Sequence, residues 1–479
     1  MPIIPLRTAA AAAIAIAIAL SPAPLRAQQA AAFTPGRVTE RVASRAEPER
    51  SYALYLPAAY TADRTWPVLL LMDPRGRAMV PMELFREAAE RHGWVLMSSY
   101  HTLSDADSAA GVNDASLNSM LEDAQDRLSI DTRRLYLAGF SGTARHAWGV
   151  SLQLEGNLAG IVAVGAGFPG PALSWRTTLP VLKPFAVFGT AGNLDYNYDE
   201  VVAVDSILDG TPHPHRTVFF EGPHQWATKA VATEALEWLQ LQAMKSGLAP
   251  RDEAWIDSLL AARRRAAAAL SGEDALREHR SLAADFAGLR DVADVEARRD
   301  ALAADAAVRG EVARRAELAA RYRVYDRRIH AFLDELNAAE RMPPVSRGAE
   351  AFDVERLLRE AADSSDIAAM KAARRRMALA LVWTTGYGLR QYMEKRDFTR
   401  AVAVLRVAER LRPRDPGVCY SLARALAQQQ GEAAPALDYL SCAVESGRVP
   451  ITTITGDRLL DPIRAEARFT EITARAPHG

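Results

Sequence analysis

Three side chains have the types and the chain order that nucleophilic chemistry requires: Ser141, Asp195 and His224. A serine hydroxyl is inert near neutral pH unless a base takes its proton, and a histidine can serve as that base. A carboxylate can fix the imidazole tautomer and stabilise the imidazolium that forms. Each residue follows a short apolar run typical of a buried strand. Because parallel strands end at one edge of a sheet, we expect the three side chains to meet there.

The serine lies in a segment that predicts a strand, a tight turn and a helix, LYLAGFSGTARHA (residues 135–147). Its centre, Gly139-Phe140-Ser141-Gly142-Thr143, nearly matches the G-x-S-x-G elbow that presents a nucleophilic serine. The final glycine is replaced by Thr143, which we expect to fit at the helix start with its side chain pointing outward. The alternative is a serine in an ordinary strand-to-helix turn.

An oxyanion hole requires two backbone N–H groups directed at the developing negative oxygen. Gly142, directly after the serine, is the candidate for the first. The second is expected from the loop after an early strand, LLLMDPRGRAM, where Pro74 has no N–H to donate. Arg75 is therefore the candidate for the second donor, with Gly76 behind it. The side chains of this loop could also hold an anionic group or lie in solvent.

Neighbouring residues leave alternatives open. Asp199 is a second candidate for the acid, but its position before EVVAVDSIL favours a helix cap, so we favour Asp195. His224 could instead be a loop histidine that bonds the backbone. The other histidines of this region are His101, His146, His213 and His215. We expect turn, packing or pocket-border positions for them and no metal site, because no cysteine or carboxylate pattern accompanies them.

The elements that must position these residues belong to an α/β pattern over residues 50–244. Continuous apolar runs predict buried strands, among them PVLLLM, WVLMSSY, RLYLAGF, LAGIVAVGAG, PFAVFGT and RTVFFEG. Amphipathic segments between them and after the last one predict helices, for example LNSMLEDAQDRL and KAVATEALEWLQLQAM. Repeated strand-helix-strand units predict a parallel sheet with helices on both faces.

After residue 250 the composition becomes rich in Ala, Arg, Glu and Leu and predicts helices throughout. Residues 251–341 form a predicted helical connector, and MPPVSRG is a linker. Residues 349–479 form a predicted helical domain with two TPR-like units. In the first unit Tyr392, Ala401, Leu405, Ala408 and Pro413 have the spacing of the 34-residue repeat. An isolated alanine-rich hairpin is the alternative.

The N-terminal sequence predicts where the protein is located, and its net charge bears on whether it binds nucleic acid. Arg7 precedes an apolar run, followed by Pro22, Pro24 and a small-residue exit at Ala27, so residues 1–27 predict a signal peptide. The chain is then exported, periplasmic or secreted, with no later membrane span; an uncleaved N-terminal anchor is the alternative. The formal net charge is -1, which gives no electrostatic basis for binding nucleic acid.

The 479-residue chain has only two cysteines, Cys419 and Cys442. Two cysteines cannot form a disulfide framework or a four-thiolate zinc site. An exported chain could pair them. We favour two buried free thiols.

Residues 50–244 resemble the α/β-hydrolase superfamily in its small esterase or dienelactone-hydrolase-like form. The residues that carry the resemblance are DPRGR after a strand, YLAGFSGTAR and GPHQW. Together they look like an exported bacterial subgroup fused to helical and TPR-like segments. The resemblance implies acyl transfer to Ser141 and then to water, without a cofactor, on a small-molecule ester. The alternatives are a serine peptidase of the same fold and an inactive scaffold whose TPR-like helices bind a protein partner.

Overall fold

The computed structural model describes residues 33–104, 111–154, 157–170 and 172–475, so the predicted signal peptide lies outside the described residues. Eight strands in this part of the chain form one sheet. They are β1 (Val38–Ala43), β2 (Ser51–Tyr55), β3 (Trp66–Met72), β4 (Val95–Ser99), β5 (Ile130–Phe140), β6 (Gly160–Val164), β7 (Ala186–Gly192) and β8 (His215–Phe220).

The strand order across the sheet is β1-β2-β4-β3-β5-β6-β7-β8. The pairs from β4 to β8 are parallel, whereas β1 pairs with β2 and β2 with β4 in antiparallel fashion. The sheet is therefore mostly parallel, with an antiparallel edge that the sequence did not predict. The register aligns the carboxyl ends of the parallel strands, since Met72 lies opposite Gly139 and Phe140 opposite Val164.

Apolar cores lie on both faces of the sheet. Along β3, Val68, Leu70 and Met72 belong to one core, and Leu69 and Leu71 belong to the other. This alternation follows from the two-residue period of a strand. A strand that buries both faces can have no polar face, which is why PVLLLM is a continuous apolar run.

In the residues that the structure describes, six α-helices cover or connect the strands. They are α1 (Met79–His92), α2 (Val112–Arg127), α3 (Gly142–Gln153), α4 (Ala172–Thr178), α5 (Tyr198–Leu208) and α6 (Lys229–Lys245). Residues of α2, α3 and α5 join the first core, and residues of α1 and α6 join the second. The helices thus lie on both faces, as predicted, and leave the carboxyl edge of the sheet to loops.

Three further helices, α7 (Glu253–Ala268), α8 (Gly272–Phe286) and α9 (Ala293–Ala304), pack on the end of α6. A buried charge cluster reinforces this packing. Arg216 of β8 is 3% exposed and contacts Glu234 at 2.7 Å, Glu278 at 2.8 Å and Asp285 at 3.2 Å. Trp238 of α6 donates its indole N–H to Asp285 at 2.6 Å. The cluster ties the last strand to the helices that follow the sheet.

The chain divides into two compact units, residues 1–313 and 314–479. The boundary falls inside helix α10 (Ala306–Ala338) and within the predicted connector. The remaining helices are α11 (Val345–Ala351), α12 (Val354–Ala362), α13 (Ile367–Leu381), α14 (Gly388–Glu394), α15 (Phe398–Leu411), α16 (Pro416–Ala427), α17 (Ala433–Glu445), α18 (Ile451–Gly456) and α19 (Ala467–Ala474).

The residues with repeat spacing lie in consecutive helices of the second unit. Tyr392, Ala401, Leu405 and Ala408 are all buried. Alanine at such positions lets helices approach closely, as TPR packing requires, and the assignment to that repeat stays a prediction. In the described ranges no helix is long and apolar enough to cross a membrane.

The prediction of free thiols is wrong. Cys419 of α16 and Cys442 of α17 form a disulfide, with their Cα atoms 6.0 Å apart. The sequence did not reveal the pairing, because 23 residues separate the two cysteines. It is the packing of α16 against α17 that brings the two side chains together.

Candidate active site

Ser141 lies in a sharp turn between β5, which ends at Phe140, and α3, which begins at Gly142. Its backbone angles are φ 54° and ψ −125°, a conformation that costs a non-glycine residue free energy. Gly139 makes the turn possible, because a Cβ there would lie 2.3 Å from the carbonyl oxygen of Thr143. The predicted turn is therefore strained and closely packed, and Ser141 is 9% exposed at its tip.

Thr143 does not point outward as expected; its side chain is fully buried. Its hydroxyl accepts the Phe140 N–H at 3.0 Å and lies 2.7 Å from the Met72 carbonyl oxygen and 2.8 Å from that of Phe140. The hydroxyl can donate to one of these carbonyls at a time. Thr143 thus fastens the turn to the end of β3.

The three residues predicted to act together are in hydrogen-bond contact. His224 Nε2 lies 2.9 Å from Ser141 Oγ, and His224 Nδ1 lies 2.9 Å from each carboxylate oxygen of Asp195. The carboxylate accepts the Nδ1 proton, so Nε2 is left as an acceptor for the serine hydroxyl. Asp195 is fully buried and also accepts the Asn197 N–H at 2.7 Å.

Backbone hydrogen bonds hold the acid loop against the histidine loop. The Asn193 N–H donates to the Phe220 carbonyl at 2.8 Å, and the Leu194 N–H donates to the Gly222 carbonyl at 2.9 Å. These bonds continue the pairing of β7 with β8 beyond the strand ends. The separation of Asp195 from His224 is therefore set by the sheet itself.

Aromatic rings enclose the imidazole. The ring centroids of Phe140 and Tyr196 lie 4.6 and 4.3 Å from that of His224. Gly165, with φ 63°, lies against Asp195 and His224. A Cβ at this position would lie 2.9 Å from Asp195 Oδ2. The rings limit the rotation of His224, and the glycine leaves room for the carboxylate.

The two predicted oxyanion donors differ. Gly142 is the first residue of α3, so its N–H has no acceptor within the helix and remains available at the elbow. The Arg75 N–H donates to Asp73 Oδ1 at 2.9 Å, so a role at the oxyanion would require this turn to open. Arg75 and Arg77 are both exposed, and the side chain of Arg77 pairs with Asp73.

The remaining candidates have other surroundings. Asp199 lies in the first turn of α5, and the N-cap residue is Asn197, so the predicted cap position is wrong by two residues. The other four candidate histidines contact residues outside the site. His101 lies beside Ser51, and His146 lies beside Asp114. His213 contacts the backbone of Leu179 and Phe185, and His215 contacts Asp209. No group of His, Cys, Asp and Glu able to hold a metal occurs in the ranges described above.

One ion pair near the elbow was not anticipated from the sequence. Arg145, one helical turn after Ser141, contacts Glu200 at 2.6 Å. Burial raises the pKa of the Glu200 carboxyl, and Arg145 partly offsets this effect. The two residues lie 55 positions apart, so no local sequence pattern could have paired them.

No protein-family model matches the chain, and no curated protein matches it. Among solved structures it is similar to an esterase of Pyrobaculum calidifontis (15% identity, 47% of this chain and 90% of that chain, TM-score 0.34). It is also similar to an S-formylglutathione hydrolase of Staphylococcus aureus (13% identity, 43% of this chain and 99% of that chain, TM-score 0.36). A third similar structure is that of the fluorophosphonate-binding serine hydrolase FphF of Staphylococcus aureus (14% identity, 43% of this chain and 98% of that chain, TM-score 0.34). Residue roles rest on the geometry above.

Proposed function

We propose that this protein is a serine hydrolase that cleaves carboxylic esters of small molecules. The observation that carries the proposal is the contact of Ser141 Oγ with His224 Nε2 at 2.9 Å while Nδ1 of the same ring bonds the buried Asp195. The strained backbone of Ser141 adds support, because such conformations persist where function requires them.

The reaction follows from this arrangement. Ser141 Oγ attacks the ester carbonyl carbon while His224 Nε2 takes the hydroxyl proton, and Asp195 stabilises the imidazolium. The Gly142 N–H donates to the oxyanion. The bond from carbon to the alcohol oxygen then breaks, and His224 returns its proton to the departing alcohol. Water then attacks the acyl carbon while His224 Nε2 takes its proton. The bond from that carbon to Ser141 Oγ breaks, His224 returns the proton to Oγ, and the acid leaves.

The test compares wild type with Ser141→Ala in fluorophosphonate labelling and in hydrolysis of an activated short-chain ester. We expect wild type to label and turn over and Ser141→Ala to do neither. Ser151→Ala is the matched control, because Ser151 is a buried serine of α3 whose hydroxyl bonds the Trp148 backbone. Wild-type protein that neither labels nor hydrolyses the ester would contradict the proposal.

The same experiment separates the alternatives. Turnover of peptide amides in preference to esters would favour a serine peptidase. An unlabelled but folded wild type would favour an inactive scaffold whose second unit binds a protein. For that role, a partner captured by Ser141→Ala protein should be lost when residues 378–446 are removed.

Export belongs to the proposal as well. It is supported by the sequence of residues 1–27 alone. N-terminal sequencing of protein from the periplasm or medium should begin near residue 28. A full-length N-terminus in the cytoplasmic fraction would contradict it.

A further inference from the structure

Asp73 is a fully buried carboxylate at the carboxyl end of β3. Its Oδ1 accepts the N–H groups of Arg75 at 2.9 Å and Arg77 at 3.2 Å, and the Arg77 Nε at 3.0 Å. Its Oδ2 accepts Arg77 Nη2 at 2.9 Å and the indole Nε1 of Trp226 at 2.8 Å. One side chain therefore shapes the loop that follows β3 and reaches a second loop.

That second loop is the one that holds His224. Trp226 comes two residues after the histidine, is 8% exposed, and lies with its ring 5.6 Å from that of Phe140. Phe140 in turn packs on the His224 ring and directly precedes Ser141. The Asp73–Trp226 hydrogen bond spans 153 positions and joins the loop after β3 to the loop after β8.

The carboxylate is charged under ordinary conditions. Burial by itself would raise the pKa of Asp73, but the hydrogen bonds from Arg77, Trp226 and the loop backbone outweigh burial and hold that pKa below its usual range. A charged acceptor binds the indole N–H more strongly than a neutral one would. The lowered pKa of Asp73 therefore favours the charged acceptor that this link between the loops uses.

We infer that Asp73 and Trp226 are a positioning pair for the hydrolytic site, an inference that rests on the proposed function. The hydrogen bond between them holds the loop that contains His224 in the position where its Nε2 is within hydrogen-bond distance of Ser141 Oγ. Loops are the mobile parts of a fold, whereas proton transfer needs a fixed geometry. Small displacements of reacting groups lower rates strongly.

Trp226→Phe is the direct test, because it keeps an aromatic ring at this position and removes the indole N–H together with part of the ring. Trp238→Phe is its matched control, since Trp238 also donates its indole N–H to a buried aspartate, Asp285, outside the site. The turnover rate is normalised to the number of sites titrated by a fluorophosphonate, so that a loss of folded protein does not lower it.

We expect Trp226→Phe to lower kcat per titrated site about tenfold with little change in KM, and Trp238→Phe to leave both near wild type. Both variants should lose similar thermal stability. Equal kcat in the two variants would overturn the inference.

Substitutions of Asp73 give a second measurement. Asp73→Asn retains an oxygen that can accept the Trp226 N–H, whereas Asp73→Ala has no acceptor. We therefore expect Asp73→Asn to keep several times more kcat per site than Asp73→Ala. An equal loss in both variants would contradict positioning through this bond. If wild type itself does not label, the proposed function has failed, and that result is distinct from either outcome.

Discussion

Thr143 occupies the position where the elbow pattern has its final glycine, yet the turn uses its hydroxyl. Thr143→Val keeps the shape and removes that hydroxyl, so the Phe140 N–H loses the acceptor found 3.0 Å away. We expect a loss of about 1–3 kcal/mol in the free energy of unfolding, because a buried donor is left unpaired. Urea unfolding measures it.

Thr143→Ser is the control for that experiment, because it retains the hydroxyl and removes only a methyl group. It should stay within about 1.5 kcal/mol of wild type, the cost of a small change in core packing. If the valine variant proves as stable as the serine variant, the hydroxyl contributes nothing to the turn.

The backbone of Ser141 gives a second prediction at this scale. Alanine keeps the penalty of φ 54°, whereas glycine adopts positive φ without it. Ser141→Gly should therefore be more stable than Ser141→Ala by about 1 kcal/mol. Thermal unfolding of the two inactive variants measures the difference. A less stable glycine variant would mean that the turn stores no strain at this residue.

Sequence reasoning reached residues and local turns but not their distant partners. Ser141, Asp195 and His224 could be predicted because each follows an apolar strand, and parallel strands end at one edge. The inward orientation of Thr143 could not, since it depends on the Met72 carbonyl 71 positions away. The link from Asp73 to Trp226 was beyond reach for the same reason.

At the scale of elements, continuous apolar runs predicted the buried strands from β3 to β8 well. β1 was missed because VTERVA has no continuous apolar run and only Val42 in it is buried, and it begins before the predicted domain start at residue 50. The helix α1 was missed as well, although its apolar residues, including Met82 and Phe85, pack on the sheet.

The disulfide between α16 and α17 is expected to stabilise the second unit. Closing a loop of 23 residues restricts the unfolded chain and stabilises the fold by about 3 kcal/mol. Reduction with dithiothreitol should therefore lower the Tm of the transition that belongs to this unit by several degrees. Differential scanning calorimetry with and without the reductant measures the shift.

The double variant Cys419→Ala with Cys442→Ala is the control. Its Tm should match that of the reduced protein and should not respond to dithiothreitol. A shift of equal size in both proteins would show that the reductant acts elsewhere.

For the whole molecule, the Arg216 cluster sets where the first unit can end. A chain ending after residue 250 loses Glu278 and Asp285 and leaves Arg216 short of partners. Breaking a buried ion pair costs about 3–5 kcal/mol, so this truncation should be unstable or insoluble. A chain ending after residue 313 retains the cluster and should be soluble and labelled by a fluorophosphonate.

Solubility, circular dichroism and labelling of the two truncations measure the difference. The variant Arg216→Met in the longer chain distinguishes the contribution of the charge cluster to stability from that of the apolar contacts of α7 and α8. If the shorter chain is as stable as the longer one, the helices after residue 250 do not complete the first unit.

The same cluster has a consequence for the order in which the fold is completed. A chain that emerges N-terminus first presents β5, β6, β7 and β8 in the order in which they lie side by side. Asp285 follows Arg216 by 69 residues, which corresponds to roughly 3–14 s of synthesis. During that interval the edge strand carries an arginine that has Glu234 as a partner, whereas Glu278 and Asp285 are synthesised only near its end. Ser141, Asp195 and His224 are therefore all synthesised before Glu278 and Asp285, whose contacts secure the strand beside them.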